Sequence, residues 1–400
     1  MNVAIFGAGV AGLSAGIALR QQQHSVRIYE RRTSVPRGGG LVLWPNAMFV
    51  LDALGLAQSV MSASGSVHAM HRYTQGGELL GTLDIGQLDA LMGQPSRAIL
   101  RCDLQRILVD AASDLGVALH WGQAVDDFAP EASGQVCARL ADGKFVHADL
   151  LIGAEGRMSS AARRFVAGSS QAVYQGFVNW IGVLDGTDMG DLAGTVNDYW
   201  GVGERFGFVT VGGHCCYWAG AAAVALPGSA IAAPDDLKQH LLQRFGAWPK
   251  SVAELIAGTS AATIRTVYVH DHDPLDCWHR GNVLLVGDAA HAPLPTSGQG
   301  ACQALEDAWH LARCLGQAGP TLDESLAGFT AMRQPKTTTI IQAGRQLARD
   351  LFATDASRAA VRDAAARKSD MQLAVANMAQ GWGRGLGSTV TELAIGRLRT

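Results

Sequence analysis

The chain begins MNVAIFGAGVAGLSAGIAL, and no other stretch limits its fold so narrowly. Val3 to Phe6 read as a buried strand, and the residues after Gly9 read as a helix. Between them Gly7, Gly9 and Gly12 form GxGxxG. In such a unit the first glycine permits the tight turn. The second lets the backbone approach a pyrophosphate, and the third lets the helix pack closely on the strand. The helix start then presents unpaired N–H groups and the positive end of its dipole to the phosphates. A second strand, Val26 to Tyr29, ends at Glu30, where a carboxylate accepts hydrogen bonds from a ribose. GxGxxG alone is a weak signal; with strand, helix, second strand and acid in order it specifies a dinucleotide site. Arg31 and Arg32 follow and are read as solvated charges near the adenosine, not as a 2′-phosphate site. This unit does not separate FAD from NAD.

The chain contains no second strand–GxGxxG–helix unit. GWGRGLG at 381–387 has the glycines, but no strand precedes it and no acid follows, so it reads as a loop. One nucleotide domain is therefore expected, with its remaining pieces far along the chain. Residues 38–55 read as a loop, a short strand and a helix. Residues 99–116 read as an amphipathic helix with Leu104, Leu108 and Ala111 on one face and Arg101 at its start, in reach of a phosphate or a ring edge. Residues 146–164 read as a strand ending in Gly-Ala-Glu-Gly and then a helix, which sets Glu155 at the carboxyl edge of a sheet, where ligands bind. Asn282 to Val286 is another buried strand with Asp288 just past its end. Pro293 and Pro295 follow, and then a helix from Ala301. Its apolar residues at 304, 305, 308, 311, 312 and 315 share a face, and it stops near Gly316.

Composition narrows the possible functions. With 400 residues and 48% hydrophobic content the chain can build two domains that share a ligand. The net charge of −3 and the lack of a basic run argue against nucleic acid as a partner. Seven scattered cysteines without a CxxC fit reduced thiols. Residues 3–19 lack a basic leader and 217–234 are broken by Pro227, so neither a signal peptide nor a membrane span is expected. The expectation is a soluble cytoplasmic protein.

GAGVAG with Glu30, the GAEG segment, and GDAAHAPLPTSGQGACQALEDA occur in the order and at the separations of three signatures. In these the chain resembles the group A FAD-dependent aromatic hydroxylases, the p-hydroxybenzoate hydroxylase-like flavoprotein monooxygenases, over residues 1 to about 345. The resemblance implies an α/β fold. A Rossmann-like FAD-binding domain would be assembled from 1–70, 96–171 and 273–345. An antiparallel β-sheet substrate domain would comprise 71–95 and 172–272, with a C-terminal helical region over 346–400. It implies one FAD lying across the sheet. Gly7, Gly9, Ala11 and Gly12 would hold the pyrophosphate, with Glu30, Arg31 and Ala124 at the adenosine end. Asp288 would accept from the ribityl chain. Val42, Arg101 and Glu155 would also bind the cofactor, and Gly298, Gln299, Gly300 and Ala301 would lie at the flavin. The helix start at 298–301 would aim its dipole at the pyrimidine edge, and Pro295 would line the face where oxygen reacts. The implied reaction is reduction of FAD by NADH or NADPH, addition of O2, and delivery of a hydroxyl group from a flavin C4a-hydroperoxide to a small aromatic or heteroaromatic substrate. Two positions depart from the family pattern. Glu155 stands where Asp is usual, and the arginine expected nine residues after Gly153 is Ala162, with Arg163 one later. That segment is thought to serve NAD(P)H as well as FAD.

FVNWIGVL, YWGVGERFGFVTV and HCCYWAGA within 172–272 alternate apolar and polar residues, as an antiparallel sheet does. VNW, GERFGFVTV, the HDHDPL run and DMQL resemble FAD-dependent urate hydroxylases. This implies that Arg205 and Tyr217, on neighbouring strands, contact the substrate. Hydroxylases of salicylate, hydroxynicotinate and hydroxybenzoate share much of the pattern. Two other readings stand beside this one: a flavin-dependent reductase or dehydrogenase on the same scaffold, and a non-catalytic FAD-binding or small-molecule-binding protein. No WxWxIP segment supports a halogenase. His68 with His71, His270 with His272, and His214 lack a second cluster that would complete a metal site. His291 reads as structural, and Glu306 and Asp307 read as acids favouring their helix dipole. The C-terminal residues either pack on the FAD domain or mediate self-association, as in a homodimer.

Overall fold

The computed structural model describes residues 1–35, 38–131, 136–168, 171–187, 189–212, 214–225 and 234–387. Its first layer is a six-stranded sheet ordered His279–Arg280, Val283–Leu285, Leu150–Gly153, Asn2–Phe6, Ser25–Glu30 and Ala118–Trp121. All neighbours run parallel except the first pair. Val3 lies beside Val26 and Leu150, and Leu151 lies beside Val283. These residues are almost wholly buried, as expected of parallel strands covered on both faces, and Phe6 meets Phe128 of the Val125–Pro130 strand edge-on at 5.4 Å. The chain leaves the central 2–6 strand toward 25–30 on one side and 150–153 on the other. That divergence opens a crevice at the carboxyl ends of the strands.

The second layer is a seven-stranded sheet ordered Arg265–Asp271, Val173–Leu184, Cys215–Ala223, Glu204–Val211, Thr195–Trp200, Ala69–Thr74 and Leu79–Asp84. It is antiparallel apart from the 195–200 and 69–74 pair. One face carries Trp180, Tyr199, Phe206, Phe208 and Trp218, packed with Leu241, Phe245 and Ile256. The opposite face sends Val183, Val209 and Val211 into the main core. Residues 172–272 are therefore not sheet throughout: Pro234–Phe245 and Lys250–Gly258 are helices. Leu241 and Phe245 recur at a helical spacing and are fully buried, a signal masked by the aromatic alternation on either side. The expected 99–116 helix also divides. Arg97–Leu100 is a strand paired with Gly40–Leu43, and the helix occupies Arg101–Asp114.

The C-terminal part forms helices Leu322–Leu351, Ala356–Lys368 and Met371–Gly383. Val375, Ala379 and Leu386 join the core of the first layer. The glycines at 381–387 were expected in a loop, but the helix runs to Gly383 because Trp382 packs against Trp44, with ring centroids 5.2 Å apart. Among the described residues no helix is long and apolar enough to cross a membrane.

Candidate active site

Four parallel strands end at one edge, and each delivers one of the motifs. After the 2–6 strand, Gly7 takes φ +112°, and a Cβ there would sit 2.3 Å from the Ala154 carbonyl oxygen. Only glycine closes this turn. Gly12 passes so close that a Cβ would meet the Gly7 oxygen at 1.9 Å. Gly9, in contrast, faces open space with nothing within 4 Å. The Val10–Gln21 helix starts there without a side-chain cap or an acid in its first turn, so its N–H groups are left for an anion. Glu30 accepts from the Ala8 N–H at 2.8 Å and the Arg32 N–H at 2.9 Å. Arg31 is exposed beside it. Gln123 N–H bonds the Glu30 carbonyl at 2.8 Å, which brings half-buried Ala124 to the same end.

The distal motif meets the first one directly. Gly287 has φ +58°, and a Cβ on it would lie 2.6 Å from the Cβ of Ala11. Asp288 comes next and is paired with Arg157, at 2.7 Å from Nη2 and 3.1 Å from Nε. Burial works to raise the Asp288 carboxyl. Arg157, with help from Arg101 and His291, outweighs it and holds the group below the usual carboxylate range. Sequence reasoning did not single out Arg157; its one signal was a cation immediately after GAEG. Glu155 turns away from the edge. It accepts from Ser160 Oγ at 2.7 Å, Ala161 N–H at 2.8 Å and Ala162 N–H at 3.1 Å, and so caps the Ala161–Ala167 helix. Burial pushes its carboxyl up, against those hydrogen bonds. Arg163 is buried and donates to the carbonyls of Ala289 at 2.8 Å and Ala290 at 3.2 Å. Burial lowers its guanidinium to about 10 despite Asp273 nearby. In the departing segment Arg163 thus braces the GD turn, while Glu155 caps the helix that carries Arg163.

At the other end of the crevice the Gly300–Leu315 helix starts with neither a side-chain cap nor an acid in its first turn. Gln299 is buried, Gly300 and Ala301 are half-buried, and the Gly298 carbonyl accepts from Trp44 Nε1 at 3.0 Å. Cys302 Sγ reaches the Val42 carbonyl at 3.8 Å, which sets the 40–43 strand beside the helix start. Pro295 is exposed at the head of the short 295–297 turn.

Glu306 and Asp307 are not dipole-favouring surface acids. They are 0% and 1% exposed and pair with Arg333 at 2.7 and 2.8 Å; Glu306 also pairs with Lys336 at 2.8 Å. Asp307 accepts from the Gly287 N–H at 2.7 Å and meets His291 Nε2 at 2.6 Å. Burial opposes its ionisation, yet His291 and Arg333 hold the carboxyl down at about 2. Asp307 therefore anchors the GD turn from below. The basic partners lie on the next long helix, where no local pattern announced them.

The substrate candidates leave one face of the seven-stranded sheet. Arg205 stands opposite Ala221 and Tyr217 opposite Val209, so both project on the side of Val209, toward the first layer. Arg205 is held by Asp198 through Nε at 2.6 Å and Nη2 at 3.0 Å, and Asp198 also accepts from Trp200 Nε1 at 2.8 Å. Tyr217 packs where only glycine leaves room: a Cβ on Gly40 would lie 2.6 Å from its ring. Burial raises the phenol to about 12, with Arg205 and Arg101 pulling the other way. Arg101 begins its helix with its N–H on the Gly39 carbonyl at 2.9 Å. Arg101, Arg205 and Tyr217 are thus electrostatic neighbours, and Arg101 also acts on Asp288. Half-buried Arg72 sits opposite Asp198 on the same face, 5.4 Å over the Trp200 ring, and was not foreseen from the sequence. Among the described residues, the His/Cys/acid group with metal-ligand reach is Glu131, Cys137 and His147, none of which is a sequence candidate.

Two uncapped helix starts at opposite ends of one crevice fit a dinucleotide whose pyrophosphate lies at one and whose ring edge lies at the other. The FAD-binding-domain family pattern matches residues 1–343, and the chain belongs to that family. It is an FAD-dependent monooxygenase by its relatives. It is 34% identical to aurachin C monooxygenase/isomerase of Stigmatella aurantiaca over 85% of this chain and 87% of that protein. It is 30% identical to FAD-dependent urate hydroxylase of Mycolicibacterium vanbaalenii over 86% and 87%. The structure of Klebsiella pneumoniae HpxO with FAD and uric acid superposes with a TM-score of 0.87, at 26% identity, over 96% of both chains. The reductase and the non-catalytic binding protein find no counterpart among these relatives.

Proposed function

We propose that the protein uses NADH or NADPH and O2 to hydroxylate a small aromatic or heteroaromatic compound bound between Arg205, Tyr217 and the flavin. The observation that carries this reading is the projection of Arg205 and Tyr217 from one sheet face toward the crevice that ends at the uncapped 300–315 helix. When bound, FAD supplies the hydride acceptance and oxygen activation that no side chain provides. The protein residues do the rest. Tyr217, a phenol until about pH 12, serves as a hydrogen-bond donor and not as a base. Asp198 occupies Nε and Nη2 of Arg205, which fixes the guanidinium plane and leaves Nη1 for a substrate carbonyl or oxyanion. The helix start at 299–301 offers partial positive charge to a reduced, anionic ring edge. Asp288, kept ionised by Arg157, is a ready acceptor for cofactor hydroxyls.

The likeness to a urate hydroxylase supports planar N-heteroaromatics such as urate as the first substrates to try. The two large sheets mark the cofactor and substrate domains in this reading. Seven free cysteines suit a reducing compartment such as the cytoplasm. Turnover under labelled oxygen tests the reaction. One labelled oxygen atom in the product supports hydroxylation, and product formation without it supports the reductase alternative.

A further inference from the structure

We propose that the C-terminal segment 371–387 is thermodynamically coupled to the cofactor crevice through Lys336, so that FAD binding and docking of this segment reinforce each other. Lys336 is 6% exposed. Its ammonium donates to both Glu306 oxygens, at 3.0 and 2.8 Å, and to the carbonyls of Trp382 at 2.6 Å and Arg384 at 2.9 Å. Half of its acceptors therefore belong to the C-terminal segment. The ammonium has three N–H groups, so losing the two carbonyls of the segment would leave it with the Glu306 carboxylate alone and underpaired.

From Glu306 the chain of contacts continues inward. Asn46 Nδ2 donates to Glu306 at 2.7 Å and to Gln299 Oε1 at 2.9 Å. Gln299 is the N-cap residue of the Gly300–Leu315 helix, whose start the proposed function assigns to the flavin. A second route leads from the same segment to the same loop. The Trp382 ring lies 5.2 Å from that of Trp44, and Trp44 Nε1 donates to the Gly298 carbonyl at 3.0 Å. Two separate sets of contacts thus connect 382–384 to 298–299. If the segment undocks, Lys336 loses its carbonyl partners and Trp44 loses its packing partner. The loop then loses the supports that orient its N–H groups. A ligand that needs those N–H groups in place must favour the docked state, and docking must favour the ligand by the same factor.

The inference requires FAD in the crevice but not the hydroxylation reading, so the two can fail separately. Hydrogen exchange over 371–387 would be compared between FAD-stripped and FAD-loaded protein. FAD affinity and flavin midpoint potential would be measured for Lys336→Met, Trp382→Ala, Lys336→Arg and an exposed control, Lys368→Met. Coupling predicts that FAD slows exchange in the segment by about tenfold, and that Lys336→Met and Trp382→Ala each weaken FAD by a similar factor. The potential shifts in both, Lys336→Arg recovers most of the affinity, and Lys368→Met matches the parent. Lys336→Met keeps Glu306 paired with Arg333. Should it still fail to fold, Trp382→Ala, which removes no charge, decides the matter. Exchange indifferent to FAD, or unchanged affinity and potential in Trp382→Ala, overturns the proposal.

Discussion

Arg205 is best understood together with Asp198. The acid is 3% exposed at its side chain, and the arginine supplies two of its three hydrogen bonds. Removing Arg205 alone leaves a buried carboxylate with one of its three hydrogen bonds, a change that costs about 3–5 kcal/mol. Arg205→Met should therefore lower the melting temperature as well as substrate affinity, and adding Asp198→Asn should restore stability without restoring binding. Differential scanning fluorimetry and ligand titration of the single and double variants would show whether the two effects separate. Arg157 governs Asp288 in a related way. The depressed Asp288 carboxyl contributes its ion-pair stability above the ordinary carboxylate range and loses it as pH falls through the lowered value. Without Arg157, burial prevails and the carboxyl moves up. Arg157→Met should then release flavin at a higher pH than the parent, measured as flavin in the filtrate after acid steps. Identical release curves would count against Asp288 as a cofactor ligand. Glu30 and Asp288 were legible from sequence because each ends a strand of a local strand–turn–helix unit. Arg157, Asp198 and Arg72 were not, because their meaning lies in partners on other strands.

The pair of helices Gly300–Leu315 and Leu322–Leu351 shows the same limit among elements. The apolar periodicity of the first helix and its stop at Gly316 were readable. Their joining by Glu306, Asp307, Arg333 and Lys336 was not, since the basic partners stand 26 to 30 residues away. An acid in the second turn of a helix has an adequate local explanation, and only burial overturns it. Glu306→Gln should cost about 3–5 kcal/mol by leaving buried cations underpaired. Thr321→Ala, which removes an exposed capping box on the same long helix, should cost about 1 kcal/mol. Thermal melts of the two variants would rank them, and equal losses would mean that the buried pairs do not secure the helices. The helices within 234–258 were missed for a different reason: aromatic alternation in the neighbouring strands set the apparent period. Asp307, held at about 2, contributes fully above the ordinary carboxylate range and loses its contribution only as pH falls toward 2, so Asp307 itself should add no pH dependence between 5 and 8.

Across the whole molecule, the two sheets are joined at the crevice, where Val183, Val209 and Val211 of the second enter the main core. Leu294 of the distal motif packs with Phe177 and Val269 of the second sheet and with Ala348 of the long helix. A cofactor seated there should stabilise the chain by about 4 kcal/mol when present at a thousandfold excess over its dissociation constant. Melts with and without FAD would detect this. The layered architecture was legible from three motifs in order. For the C-terminal residues the sequence left packing on the FAD domain beside self-association; Val375, Ala379 and Leu386 do join the first-layer core, while the contacts of Trp382 with Trp44 and of Lys336 with 382–384 were not legible. The central claim is that substrate held at Arg205 and Tyr217 governs chemistry at the flavin. It is tested most directly by anaerobic mixing of the yellow protein with NADH or NADPH, alone and with urate and a panel of hydroxylated aromatic and N-heteroaromatic acids. The account predicts that one nicotinamide bleaches the flavin, that a planar N-heteroaromatic accelerates the bleaching, and that Arg205→Met abolishes the acceleration while bleaching without ligand persists. A flavin that neither nicotinamide reduces under any of these ligands would contradict it.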